Sequence, residues 1–132
     1  MRLSVLGSHL SPDFVTEGWR LILYSRSITG KTQLAVTPAA PLTVFASISN
    51  GDVGSFWTRL LRSVDGGDSW QVRSYEDYAR WQGWFAHDVA ASPSDPDHVL
   101  AVGIDVWRST TGGTNLVQES DWTLWYFGQT IP

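Results

Sequence analysis

The sequence predicts an all-β fold made of short antiparallel sheets that recur along the chain, and three observations predict it. The stretch Ser63-Val64-Asp65-Gly66-Gly67-Asp68-Ser69-Trp70 reads as a hairpin tip. Its Asp and paired glycines supply positive φ and local hydrogen bonds between the alternating runs Arg59-Leu60-Leu61-Arg62 and Trp70-Gln71-Val72-Arg73. The chain also repeats itself: residues 34–46 align with 89–101, and Leu61-Arg62-Ser63-Val64-Asp65-Gly66-Gly67 aligns with Trp107-Arg108-Ser109-Thr110-Thr111-Gly112-Gly113. Between these matched stretches the first copy carries nine more residues. Finally, Pro38 and Pro41 align with Pro93 and Pro96, and proline, which cannot donate to a sheet ladder, belongs in connections.

Each unit therefore reads as three or four strands. One precedes the Pro-x-x-Pro turn, as Leu34-Ala35-Val36 and Val89-Ala90-Ala91. The next, Val44-Phe45-Ala46-Ser47-Ile48 or Val99-Leu100-Ala101-Val102, has the apolar alternation of an inner strand. A third enters the glycine tip and a fourth leaves it, with Ser63 and Asp65 placed to accept backbone N–H groups across the bend and Trp70 to insert between layers. Helical potential is confined to one turn at Ser74-Tyr75-Glu76-Asp77-Tyr78-Ala79-Arg80. In the second tip, Thr111 stands where the first has Asp65 and Leu116 where it has Trp70. That tip is expected to lack an acceptor, with Trp122, seven residues further on than Asn115, filling the layer instead.

A chain of 132 residues with 42% apolar composition can bury a core. Its eight tryptophans, spread from Trp19 to Trp125, favour layered β packing or an aromatic-lined carbohydrate surface over a single cofactor pocket. The net charge of −4, with nine scattered basic residues, gives no footprint for nucleic acid or an anionic membrane. Without cysteine there is neither a disulfide framework nor a thiolate metal site. The N-terminal apolar run is broken by Ser, Gly and His and is not read as a signal peptide.

The pattern Ser63-x-Asp65-x-Gly67-x-Ser69-Trp70 resembles the Asp-box, or bacterial neuraminidase repeat, of sialidase-like, xyloglucanase-like and sortilin-like β-propellers. The resemblance covers roughly residues 30 to 125 and implies propeller-like blades in which the box is a fold element, apart from the catalytic centre. It implies that residues 1–33 end a preceding blade or supply an N-terminal strand. Residues 34–80 would form a blade with a complete box (63–70), and 81–132 a shortened blade with a degenerate box (109–116). A closed ring needs about 4 to 8 blades. This chain holds two to three, so it reads as part of a longer parent or as a unit that completes its stack by self-association. The family implies an extracellular or periplasmic setting.

Chemistry is less sharply written. Glycoside hydrolysis needs two carboxyl groups about 5 to 10 Å apart, and the candidates are Glu76, Asp77 and Asp88. The cluster Trp81-Gln82-Gly83-Trp84-Phe85 offers Trp81, Trp84 and Phe85 as a sugar-stacking platform, since aromatic faces pack on pyranose C–H surfaces. The arginine cluster and tyrosine nucleophile of sialidase chemistry are not locatable. Arg62 and Arg108 precede the two tips at equivalent places and read as structural. Asp65 and Glu76 have the outer spacing of a calcium loop, but Gly67 and Ser69 remove the ligands between them, while Asp97, His87 and His98 lack zinc spacing. No metal or cofactor is therefore expected, and His87 reads as an ordinary polar residue at a strand edge. The favoured function is a non-catalytic segment presenting a glycan- or protein-binding surface; the alternative is a piece of a secreted glycoside hydrolase whose catalytic site is incomplete here.

Overall fold

A computed structural model describes residues 30–49 and 57–126; the N-terminal segment expected to end a preceding blade falls largely outside them. Eight strands follow in order: β1 (Thr32–Val36), β2 (Val44–Ser49), β3 (Thr58–Ser63), β4 (Gln71–Ser74), β5 (Asp88–Ala91), β6 (Val99–Val102), β7 (Val106–Ser109) and β8 (Val117–Gln118). They form two four-stranded antiparallel sheets, each a simple meander, β1-β2-β3-β4 and β5-β6-β7-β8. The predicted all-β class of antiparallel strands is the observed one. Among the described residues the exceptions are a 3-10 turn at Arg80–Gln82, later than the predicted helical turn, and a five-residue helix α1 (Trp122–Tyr126).

The repeat seen in the sequence is a repeat in register. Leu34 faces Ala46 as Val89 faces Ala101, and Ala35 faces Phe45 as Ala90 faces Leu100. Across the next ladder Phe45 faces Arg62 as Leu100 faces Arg108. Because side chains alternate across a strand, each matched residue points to the same side of its own sheet. Ala35, Phe45 and Leu60 point from the first sheet into a shared core with Val89, Ala91, Val99, Ala101 and Trp107 of the second. Residues of opposite parity, Ala46, Ile48 and Leu61, pack on the far side of the first sheet with Trp57 and Trp70.

The glycine tips show why the box residues recur. Gly66 and Gly67, like Gly112 and Gly113, have positive φ between 63° and 97°, a region closed to most side chains. The buried Ser63 hydroxyl accepts from the N–H groups of Gly67 at 2.8 Å and Asp65 at 3.3 Å, and donates to Asp65 Oδ1 at 2.7 Å. Asp65 in turn accepts from the Ser69 N–H and hydroxyl. These bonds, the Ser69 hydroxyl foremost, hold its carboxyl down at about 2. Ser109 repeats the role of Ser63, accepting from Gly113 and Thr111 N–H.

Two expectations about the second tip are corrected. It retains an acceptor, because Thr111 Oγ1 takes the Asn115 N–H at 3.3 Å, a hydroxyl oxygen doing what a carboxylate oxygen does in the first tip. Trp122 does not fill the layer: Leu116 itself packs against the shared core, and Trp122 lies beside Trp81. Trp70, at the matching place in the first unit, lies on the sheet side facing away from the second sheet, not between the two, with its Nε1 donating to Gly67 O at 2.9 Å.

At the tip end the sheets are also joined by polar contacts. Arg62, lying 5.4 Å above the Phe45 ring, pairs with Asp97 at 2.7 Å, and Arg73 donates to the carbonyls of Gly112 and Thr111. Replacing Ser63 or Ser109 by Ala leaves buried N–H groups without an acceptor and is expected to cost about 1 to 3 kcal/mol. Urea titration checks this: equal losses for both fit the repeat, and a loss below about 0.5 kcal/mol at either contradicts it.

Candidate functional site

In an antiparallel meander successive connections alternate between two ends. The Pro turns and glycine tips therefore lie at one end. The β2–β3, β4–β5 and β6–β7 connections and the segment after β8 lie at the other. The β4–β5 connection, residues 75–87, carries Glu76, Asp77, Trp81, Trp84, Phe85 and His87, so most of the candidate residues come to the end opposite the box. Asp88 opens β5 on the sheet face turned away from the core, opposite Val102.

This long connection is held firmly. Tyr78 and Ala79 are buried in the shared core, and the Tyr78 carbonyl accepts the Ile104 N–H at 3.2 Å. Gly103 permits that approach: a Cβ there would stand 2.3 Å from Tyr78 O and 2.5 Å from Ala79 Cα. On the other side, a Cβ on Gly83 would meet Ser49 Oγ at 1.7 Å. Lys31 Nζ adds a bond to Phe85 O at 3.3 Å.

Beneath it lies a polar network that the sequence did not announce. His87, expected as an ordinary polar residue at a strand edge, is 3% exposed. Its Nε2 lies 3.0 Å from the Lys31 carbonyl and its Nδ1 2.6 Å from Ser47 Oγ, which is also 2.6 Å from Tyr78 OH. A carbonyl only accepts, which assigns the proton to Nε2; Nδ1 then accepts from Ser47, and Ser47 from Tyr78. Burial lowers the His87 pKa from its ordinary 6.5. The Lys31 carbonyl bond opposes that shift, the Lys31 charge adds to it and Asp88 opposes it. Tyr78, deeply buried, is pushed well above the usual phenol range. Ser47 resembles an activated nucleophile in pairing alone, for it is 0% exposed.

Above the network the aromatic residues are open. Trp84 and Phe85 are exposed, with ring centroids 5.4 Å apart and planes tilted by 43°. Trp81 stands edge-on to Trp122 at 5.9 Å, with the Arg80 guanidinium 6.0 Å from its ring. The platform is thus split: Trp84 and Phe85 form one surface, Trp81 and Trp122 another. Beside Trp122 runs a cleft of about 330 Å³ lined by Ile104, Asp105, Glu119, Asp121 and Leu124 among others. Asp105 is 1% exposed and its carboxylate is fully used, accepting from Gln118, Ser120 and the Trp122 N–H. Asp105 carries no sequence signal of its own, and Trp122 was expected in the layer and not here; each acquires its place from a segment 13 to 17 residues away.

The three candidate carboxylate residues sit in different local settings. Asp77 Oδ1 accepts from Thr58 at 2.6 Å, Asp88 Oδ1 accepts from the adjacent Val89 N–H, and the Glu76 N–H bonds Ser74 Oγ. Asp121 is lowered by the Thr123 hydroxyl and N–H it caps at the start of α1, the opposite of what a general acid needs. Among the described residues no group of three or more His, Cys, Asp or Glu side chains is placed to hold a metal ion. Nor is any described helix long and apolar enough to cross a membrane.

No protein-family model matches the chain, and no curated protein does. Among solved structures it is similar to the GH74 xyloglucanase from Xanthomonas campestris, at 26% identity and a TM-score of 0.45, over 61% of this chain and 13% of that chain.

The His87 pKa sets a pH dependence. Because it is lower in the folded state, the unfolded chain takes up its proton first as pH falls below 6.5. The contribution of His87 to stability is thus complete above that pH and declines below it. Urea midpoints measured from about pH 7 to about pH 5 should fall for the native chain and fall less steeply for His87→Gln; parallel slopes would contradict the buried neutral imidazole.

Proposed function

We propose that this chain is a non-catalytic Asp-box propeller segment that presents a glycan-binding surface at the end of its sheets opposite the box. The observation that carries the reading is the exposure of Trp84 and Phe85, with Trp81, on a connection whose backbone is pinned by Tyr78, Ala79, Gly83 and Gly103. Exposed aromatic rings cost free energy in water and serve binding when their backbone is already ordered, since little conformational entropy is then lost on association. Polar groups flank the rings: Arg80 at Trp81, and Glu119 and Asp121 along the neighbouring cleft. They can hydrogen-bond sugar hydroxyls around an apolar stacking face.

On this reading Asp77 and Asp88 have structural roles, Asp77 accepting from Thr58 and Asp88 from the Val89 N–H of its own strand. An extracellular or periplasmic setting, where polysaccharides are met, belongs to this reading.

Titration calorimetry with soluble β-glucans, xyloglucan and mannans tests it. Trp84→Ala and Phe85→Ala should each weaken binding by about tenfold, or about 1.4 kcal/mol, with the fold unchanged by circular dichroism. Absence of binding across the panel, or undiminished affinity in both variants, would overturn it. Sugar release abolished by Asp88→Asn or Glu76→Gln would replace it with the hydrolase reading.

A further inference from the structure

The repeat in register gives each sheet the same two faces, a forward one and a rear one. The forward face of the first sheet, with Ala35 and Phe45, rests on the rear face of the second, with Val89 and Ala91. The forward face of the second sheet carries the matched residues Ala90 and Leu100. Phe45 is 0% exposed there, whereas Leu100 is 38% exposed and Val117, on the same side, is 56% exposed. At the other end of the stack, the rear face of the first sheet carries Leu34 and Val36, which match Val89 and Ala91. Val89 is 6% exposed in the core, but Leu34 and Val36 are 53% and 57% exposed, and Leu42, in the turn that follows β1, is 63% exposed. Among the described residues, the two halves of the internal interface thus recur, one at each end.

We propose that the chain associates head to tail with a second copy of itself, Leu34, Val36 and Leu42 of one copy packing on Ala90, Leu100 and Val117 of the next. The charges fit this partner. Within the chain, Arg62 and Arg73 reach forward from the first sheet to Asp97 and to the carbonyls of Thr111 and Gly112. In the second sheet Arg62 is matched by Arg108, and Arg73, counted from the tip, by Glu119; these two pair with each other at 2.7 Å. A second copy presents Leu42 at the place where the second sheet has Asp97. The forward face that has neutralised its own arginine therefore meets a rear face that, among the described residues, presents Leu42 and not an acid at that place. Such an interface is heterologous: one patch binds a different patch, so copies add in sequence until a ring closes.

Sedimentation velocity on the full chain, from micromolar to several hundred micromolar, should show mass rising with concentration. Leu34→Asp with Val36→Asp disables the rear face alone, and Leu100→Asp the forward face alone. All three positions are exposed in the single chain, and circular dichroism verifies that the variants fold. Each variant should sediment as a monomer, yet an equimolar mixture should double in mass, because one variant keeps a sound forward face and the other a sound rear face. A native chain that stays monomeric would overturn the proposal and fit a face covered by a further segment of the polypeptide. Self-association of either variant as strong as the native chain's, or a mixture that stays monomeric, would overturn it equally.

Discussion

The contact between the Phe45 face of β2 and the second sheet is the constraint from which the rest of the molecule follows. Four short strands cannot cover both faces of their own sheet, and small isolated sheets are marginal in water. Phe45 and Leu60 bury their side chains only because Val89, Val99 and Ala101 stand against them, and each such burial is worth about 1.5 to 3 kcal/mol. The same face carries Ser47, whose hydroxyl would be costly to bury alone and is satisfied by Tyr78 and His87 from the connection that leads into the second sheet. Apolar burial drives the sheets together, and the polar network defines how they sit.

From that stack comes a division between the two ends. At one end the tips spend their polar groups on their own backbone and on the neighbouring sheet, as Asp65 does on Ser69 and Arg73 on Gly112. Little is left there for a ligand. At the other end the backbone is restrained by close packing at Gly83 and Gly103, which frees side chains such as Trp84 and Phe85 to face solvent. Rigidity and exposure occur together because the glycines let the connection lie flat on the sheets without using its aromatic residues as anchors; Tyr78 and Ala79 serve as anchors instead.

Much of this fold was legible in the sequence because its repeat is written in residues with local physical demands. Proline marks turns, paired glycines mark positive φ, and Ser63 and Ser109 mark the acceptor each tip requires; the aligned residues then pair in the same register. The candidate site was legible only in part. Trp81, Trp84 and Phe85 stood out by density, but Trp122 joined Trp81 through the path of the chain after β8. His87 looked unremarkable because its partner Ser47 lies 40 residues away. Thr111 showed a missing carboxylate, whereas the bend needed one oxygen at that place, and a hydroxyl supplies it. Long-range partners and substitutions that conserve one atom leave no pattern in sequence.

If sheet stacking is what stabilises both units, neither sheet persists without the other. Native-state hydrogen exchange in low urea tests this most directly, comparing the slowest amides of β2 and β3 with those of β6. One shared opening free energy is expected, equal to that of global unfolding, with an equal loss at both sheets in Phe45→Ala. Two distinct opening energies, with one sheet remaining protected after the other has opened, would contradict it.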